Sequence, residues 1–195
     1  LPILPLDTPS VSAGVPSIDT AASIIASIQE CVQDVMSGKA SAIVTNPIAK
    51  SLLKSAGFKH PGHTEFLAEL AGRADDSPAP LPVMLLVGGG LRVALATIHM
   101  PLRAVPDALS TEHIQTVSRI VLEALPRLFG EHEARLGVCG LNPHAGEDGM
   151  LGAEDENIIK SAIHRLQYDG YAVTGPRPGD TVFHEMLEGR YDAVL

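Results

Sequence analysis

The sequence predicts an α/β fold in which helices cover both faces of a largely parallel sheet that also carries one antiparallel hairpin. Short aliphatic runs alternate with amphipathic helical segments along the chain, an order that is typical of parallel sheets. Two further apolar runs, 82–87 and 91–98, are separated by three glycines at 88–90 and predict the hairpin. Hydrophobic residues make up 45% of the 195 residues and Trp is absent, so the core must be aliphatic.

The chain begins with a predicted helix over Ser17–Met36, in which apolar residues recur at helical spacing and Ser17 is a candidate N-cap. Residues 41–45 (SAIVT) follow and are predicted to form a short buried strand. Asn46 and Pro47 come directly after this strand and are a typical start of the next helix.

Glycines mark the ends of the next two predicted helices. The helix that starts near Pro47 is expected to stop at Gly57. A loop over 58–66 (FKHPGHTEF) then leads into a short helix that ends near Gly72.

The second half of the chain alternates regularly between helix and strand. Apolar spacing predicts helices over Thr111–Phe129 and around 158–166, and apolar runs predict strands over 136–141, 171–174 and 192–195. The segment after residue 141 contains Asn142, a proline and two glycines, so we expect a loop at the carboxyl end of that strand. Open α/β sheets bind their ligands at this end.

Charge and composition exclude several classes of partner. The formal net charge is −9 and no basic stripe is present, which argues against nucleic acid and anionic membrane surfaces. No signal peptide or long apolar span is visible, and Cys31 and Cys139 are interpreted as core residues of a cytoplasmic protein without disulfides. Because the chain begins without Met and stops inside a predicted strand, we interpret it as a piece of a longer protein.

Three of the eight histidines, His63, His99 and His144, follow or lie within loops that contain glycine or proline at the ends of predicted elements. Imidazole is a good ligand for divalent metals, and catalytic sites usually combine three protein ligands with one open position. His99 and His144 each follow a predicted strand, so they could meet at one metal if those strands are neighbours. The alternative is that they are solvated loop residues. We interpret the other histidines as solvated or leave them unassigned: His60, His113, His132, His164 and His184.

Two Thr-containing turns offer a second kind of site. In Gly62-His63-Thr64-Glu65 the threonine could cap a helix, and the exposed amides could bind a carboxylate or phosphate. Asp180 in the GDTVF string is either another helix cap or a carboxylate beside the metal. Lys50 is either a solvated helix lysine or a charge near an anionic substrate.

Several strings together resemble one enzyme family. TNPIAK, PGHTEFLA, RVALATIHMPL, CGLNPHAGEDGMLGAEDE, GPRPGDTVF and YDAVL occur in the order found in 4-hydroxythreonine-4-phosphate dehydrogenases and their close relatives. The resemblance extends from Leu1 to Leu195. It implies a three-layer α/β/α fold like that of isocitrate dehydrogenase, in which residues 1–195 are the contiguous central part of a larger two-lobed enzyme that works as a homodimer.

The resemblance also implies roles for five residues. His99 and His144 match two of three metal-binding histidines, and the third belongs to a motif that follows YDAVL in the family. His63 and Thr64 match a substrate-binding pair, and Asp180 matches an active-site aspartate. No residue of this chain is assigned to cofactor binding.

The implied activity is the oxidation, with decarboxylation, of 4-phosphooxy-L-threonine in pyridoxal 5′-phosphate biosynthesis. It uses NAD or NADP and a divalent metal (Zn, Mg or Co). This chain has Gly179 where the family usually has alanine, and Arg177 precedes the adjacent proline. Two alternatives therefore stay open: a related dehydrogenase for another sugar-acid phosphate or an aromatic cis-dihydrodiol, and a non-catalytic metal- or anion-binding domain.

Overall fold

The computed structural model describes residues 5–195. The chain divides into two compact units, Leu1–Pro82 and Val83–Leu195. Within residues 5–195 no helix is both long and apolar enough to cross a membrane.

The described part of the first unit contains three α-helices: α1 (Ala21–Met36), α2 (Lys50–Ser55) and α3 (His63–Ala74). Ser17 accepts a hydrogen bond from the Asp19 amide at 3.2 Å and caps a short 3₁₀ turn before α1, which confirms the predicted cap. One buried cluster of this unit is formed by residues of α1 and α3: Ile28, Val32, Phe66 and Leu70. Leu53 of α2 is also fully buried. Cys31 is exposed on α1, so the prediction that it is a core residue was wrong.

Residues 41–45 do not form the predicted strand. In the described part of this unit the segment has no strand beside it to pair with its backbone, and Val44 is 97% exposed. The helix predicted to start at Asn46 and Pro47 begins only at Lys50, with Ala49 as its N-cap. The start signal therefore lies three residues before the helix that it predicts.

The second unit is built on a five-stranded sheet. Its strands are β1 (Leu85–Gly88), β2 (Leu91–Ala94), β3 (Leu136–Cys139), β4 (Val173–Arg177) and β5 (Ala193–Val194), in the spatial order β1-β2-β5-β3-β4. The first two form the predicted antiparallel hairpin, and every other pairing is parallel. The mixed, largely parallel sheet confirms the predicted fold class.

Helices cover both faces of this sheet: α4 (Val105–Ala108), α5 (Thr111–Phe129), α6 (Ser161–Tyr168) and α7 (Val182–Leu187). Helices α5 and α6 bury one aliphatic cluster, and α7 packs with Tyr191 and Val194 in another. Helix α5 has the bounds predicted from sequence because Ser110 caps its start and Gly130, with φ +76°, ends it. A π-helical turn (Asp155–Lys160) leads into α6.

The topology brings the candidate loops of the second unit to one edge. Because β2, β5, β3 and β4 are parallel, their carboxyl ends lie on the same side of the sheet. His99 follows β2, His144 follows β3 and Asp180 follows β4.

Candidate active site

His144 lies in a loop that departs from β3 with an unusual backbone. The five residues His144–Asp148 all have positive φ, between 43° and 81°, so the chain makes a left-handed turn. Glycine occupies one of these five positions, and L-residues generally avoid this conformation. Non-glycine residues in this region persist where the surroundings impose the conformation, and such positions are concentrated at functional sites.

Asp155 is one of the residues that hold this loop in its unusual conformation. Its side chain is fully buried, and its Oδ1 accepts the Leu141 amide at 2.8 Å. Oδ2 accepts the Asn142 amide at 3.1 Å and the Asn142 Nδ2 at 2.9 Å. The carboxylate therefore fixes the chain directly before His144. The acidic run AEDE at residues 153–156 did not predict this role of Asp155, because the sequence does not distinguish a buried carboxylate from a solvated one.

His144 and Asp180 line the same pocket, of about 380 Å³, at the junction of β3 and β4. Cys139 lies close to it: burial raises the pKa of the Cys139 thiol, and the charges of Asp155 and Asp180 raise it further. An imidazole and a carboxylate thus share one exposed pocket above a thiol that stays protonated at neutral pH. This pairing follows from the adjacency of β3 and β4, which sequence alone did not give.

His99 lies at the same edge, beyond the end of β2, and is exposed with φ +55°. Its segment is tied to helix α5, because His113 Nε2 lies 2.6 Å from the Ala96 carbonyl oxygen and donates to it. His113, interpreted from sequence as solvated, therefore anchors the loop that carries His99.

The strands before His99 and His144 are not neighbours, because β5 lies between β2 and β3. Two strand spacings correspond to about 10 Å at the sheet edge. His99 is not among the residues that line the pocket of His144 and Asp180. Within residues 5–195, no three His, Cys, Asp or Glu side chains are grouped to hold a metal. The donor set, two exposed imidazoles and a carboxylate, is chemically suited to a divalent cation but lacks a complete three-ligand arrangement.

His63 and Thr64 belong to the first unit, in the first turn of α3. Gly62 is the N-cap residue, so the prediction that Thr64 caps this helix was wrong. His63 Nε2 is buried without a hydrogen-bond partner among the described residues, and His63 lines a pocket of about 420 Å³. Thr45, Asn46 and Pro47 line the same pocket, which brings the TNP and GHT strings together.

Lys50 is the first residue of α2, and its side chain reaches the N-cap residue of α3, Gly62. A Cβ on Gly62 would be 3.5 Å from Lys50 Nζ and 3.6 Å from Glu65 Oε2. The Lys50 ammonium group and the Glu65 carboxylate thus both lie beside the amino end of α3, where the backbone amides and the helix dipole favour an anion. Of the two interpretations of Lys50, this placement favours a charge near an anionic ligand.

Known proteins are similar to this chain over its whole length. The family described as pyridoxal phosphate biosynthetic protein PdxA matches residues 1–195. A 4-hydroxythreonine-4-phosphate dehydrogenase of Methylorubrum populi is 48% identical over 198 residues, which cover 100% of this chain and 56% of that protein. The chain therefore spans little more than half the length of this relative.

Two solved structures are also similar. A 4-hydroxythreonine-4-phosphate dehydrogenase from Klebsiella pneumoniae matches with a TM-score of 0.81 and 34% identity, over 91% of this chain and 51% of that one. A terephthalate 1,2-cis-dihydrodiol dehydrogenase from Burkholderia xenovorans matches with a TM-score of 0.71 and 26% identity, over 97% of this chain and 59% of that one.

Proposed function

The chain belongs to the PdxA family, and from this membership we propose that it is part of a metal-dependent dehydrogenase of 4-phosphooxy-L-threonine. The reaction transfers hydride from the substrate alcohol to NAD⁺ or NADP⁺, releases a proton, and is followed by loss of carbon dioxide from the resulting β-keto acid. The observation that carries the proposal is the placement of His99, His144 and Asp180 after parallel strands at one edge of the sheet.

His99 and His144 would hold the divalent cation, together with a further histidine outside this chain. A cation bound there supplies a Lewis acid that lowers the pKa of the substrate alcohol and stabilises developing negative charge. Asp180 shares the pocket of His144 and would accept the alcohol proton or orient the reacting group.

The first unit would bind the anionic part of the substrate. His63 and Thr64 lie in the first turn of α3, and Lys50 Nζ lies beside the Gly62 N-cap. Backbone amides and an ammonium group both favour an anionic group, either a phosphate or a carboxylate, which supports an anionic substrate. We further propose a cytoplasmic homodimer, as the family resemblance implies. Light scattering that shows only monomers would refute the dimer.

The test is His144→Ala in the intact protein. We expect metal affinity and alcohol oxidation to fall together, each by at least about 100-fold, since even changes around a ligand cost 10–100-fold. His164→Ala is the matched control because His164 is exposed on α6. Normal metal content and turnover in His144→Ala would refute the role of His144.

The substrate needs a separate assay. Turnover of 4-phosphooxy-L-threonine, another sugar-acid phosphate and an aromatic cis-dihydrodiol should be measured side by side. Preference for the dihydrodiol would support the alternative dehydrogenase. Failure of the metal-loaded protein to reduce either nicotinamide cofactor with any of them would support a binding domain.

A further inference from the structure

Asp155 is a buried acidic residue that has no role in the proposed reaction. It is 0% exposed and stands in the turn before α6 rather than on the loop that carries His144. Burying an ionised carboxylate is costly unless hydrogen bonds compensate. Such a residue therefore needs an explanation.

The three hydrogen bonds that Asp155 accepts all come from the start of the His144 loop. Two are from the consecutive amides of Leu141 and Asn142, and the third is from the Asn142 side chain. Both carboxylate oxygens are used, so the direction in which the chain leaves β3 is fixed relative to the turn before α6. Asn142 Nδ2 also donates to Glu154 Oε2 at 3.0 Å, which ties the loop to the same turn a second time.

Glycines before and after His144 also lie close to the Asp155 side chain. A Cβ on Gly140 would be 2.8 Å from Asp155 Oδ1, and a Cβ on Gly146 would be 3.2 Å from Asp155 Cβ. The loop thus contacts Asp155 on both sides of His144. Its left-handed backbone is closed by the Leu151 amide, which donates to the Gly146 carbonyl at 3.1 Å.

We propose that Asp155 is a positioning residue that holds the His144 imidazole in its metal-binding orientation. This inference rests on the proposed function of His144. Asp155 would act through the backbone of residues 141–142 and would not contact the metal or the substrate.

Two substitutions separate hydrogen bonding from packing. Asp155→Asn keeps the shape, but its NH₂ group would face N–H donors, so at least one of them loses its acceptor. Asp155→Glu keeps both acceptor oxygens but adds a methylene to a fully buried site. Positioning predicts that Asp155→Glu retains more metal affinity than Asp155→Asn, whereas a packing role predicts the reverse order.

The measurements are Co²⁺ affinity by chelator competition, the Co²⁺ visible spectrum, and amide hydrogen exchange of Leu141 and Asn142 in the metal-free intact protein. Asp155→Asn should bind Co²⁺ about 10–100-fold more weakly, with an altered spectrum and faster exchange of both amides.

The control is Asp192→Asn. Asp192 is another carboxylate that accepts a backbone amide, that of Arg135 at 2.8 Å, but it lies at the amino end of β5. This control should keep wild-type Co²⁺ affinity.

Wild-type affinity, spectrum and exchange in Asp155→Asn would overturn the positioning role while leaving the proposed function intact. Higher affinity in Asp155→Asn than in Asp155→Glu would also overturn it. If the wild type binds no Co²⁺, the proposed function itself is refuted and this inference falls with it. Faster exchange of the Leu141 and Asn142 amides in Asp155→Asn would then still show that Asp155 orders the loop.

Discussion

Gly140→Ala should destabilise the second unit by about 3 kcal/mol. A Cβ at this position would lie 2.7 Å from Ala145 Cα, 2.9 Å from Ala145 Cβ and 2.8 Å from Asp155 Oδ1. The first of these atoms is backbone and the third is a fully buried carboxylate, so neither can rotate away. Overpacking of this kind costs about 1–3 kcal/mol. Displacing the carboxylate would weaken its hydrogen bonds to Leu141 and Asn142, at about 1–3 kcal/mol for a buried group left without its partner.

Native-state hydrogen exchange of the β3 amides is the suitable assay, because it reports the opening free energy of this unit directly. Gly88→Ala is the matched control: a Cβ there would have nothing within 4 Å, so its effect should stay within about 0.5 kcal/mol. If Gly140→Ala lowers the opening free energy of β3 by less than about 1 kcal/mol, the loop is more adaptable than its contacts indicate. The assignment of Asp155 as a fixed anchor would then be wrong as well.

Two further predictions concern side chains outside the proposed site. His113→Ala removes the donor to the Ala96 carbonyl, so we expect the free energy of unfolding to fall by about 1–2 kcal/mol and amide hydrogen exchange over residues 95–99 to become faster. The control variant, His164→Ala, should change neither quantity. For Glu185, the hydrogen bond from Arg177 holds the pKa of the carboxyl below its ordinary value of 4.5. Because this pKa is lower in the folded state, the pair stabilises the fold above about pH 4.5, and the stabilisation is lost as the pH falls through the folded-state value. Urea unfolding should therefore show Glu185→Gln less stable than wild type at neutral pH, and the difference should shrink in acid; a constant difference would contradict this.

The sequence was most informative where local signals agreed with the fold. Helix α5 carries a serine cap, a clear apolar face and a terminal glycine, and the structure reproduces its predicted bounds. The hairpin is equally local, since its two strands are joined by a glycine turn and pair with each other. Such elements are defined by residues within a few positions of one another, so a single sequence suffices to predict them.

Features that depend on distant partners were not predictable in this way. Residues 41–45 have a strand-like sequence, but pairing decides whether a strand forms, and the described part of the first unit provides no partner. In the observed strand order, β5 lies between the strands that precede His99 and His144. The residue that shares a pocket with His144 is therefore Asp180 and not His99. Asp155 acts on residues thirteen and fourteen positions earlier in the chain. Neither periodicity nor motif spacing reports a contact of that range.

The left-handed turn explains why a buried carboxylate is needed beside His144. Four non-glycine residues of His144–Asp148 adopt positive φ, at about 1–2 kcal/mol each, so the turn costs roughly 4–8 kcal/mol relative to an ordinary loop. The three hydrogen bonds to a charged acceptor contribute about 1.5–3 kcal/mol each, a similar total of roughly 5–9 kcal/mol. The two sums nearly cancel, so the conformation of the loop depends on Asp155. Weakening this residue should therefore release the strain through movement of His144 before it unfolds the sheet beneath.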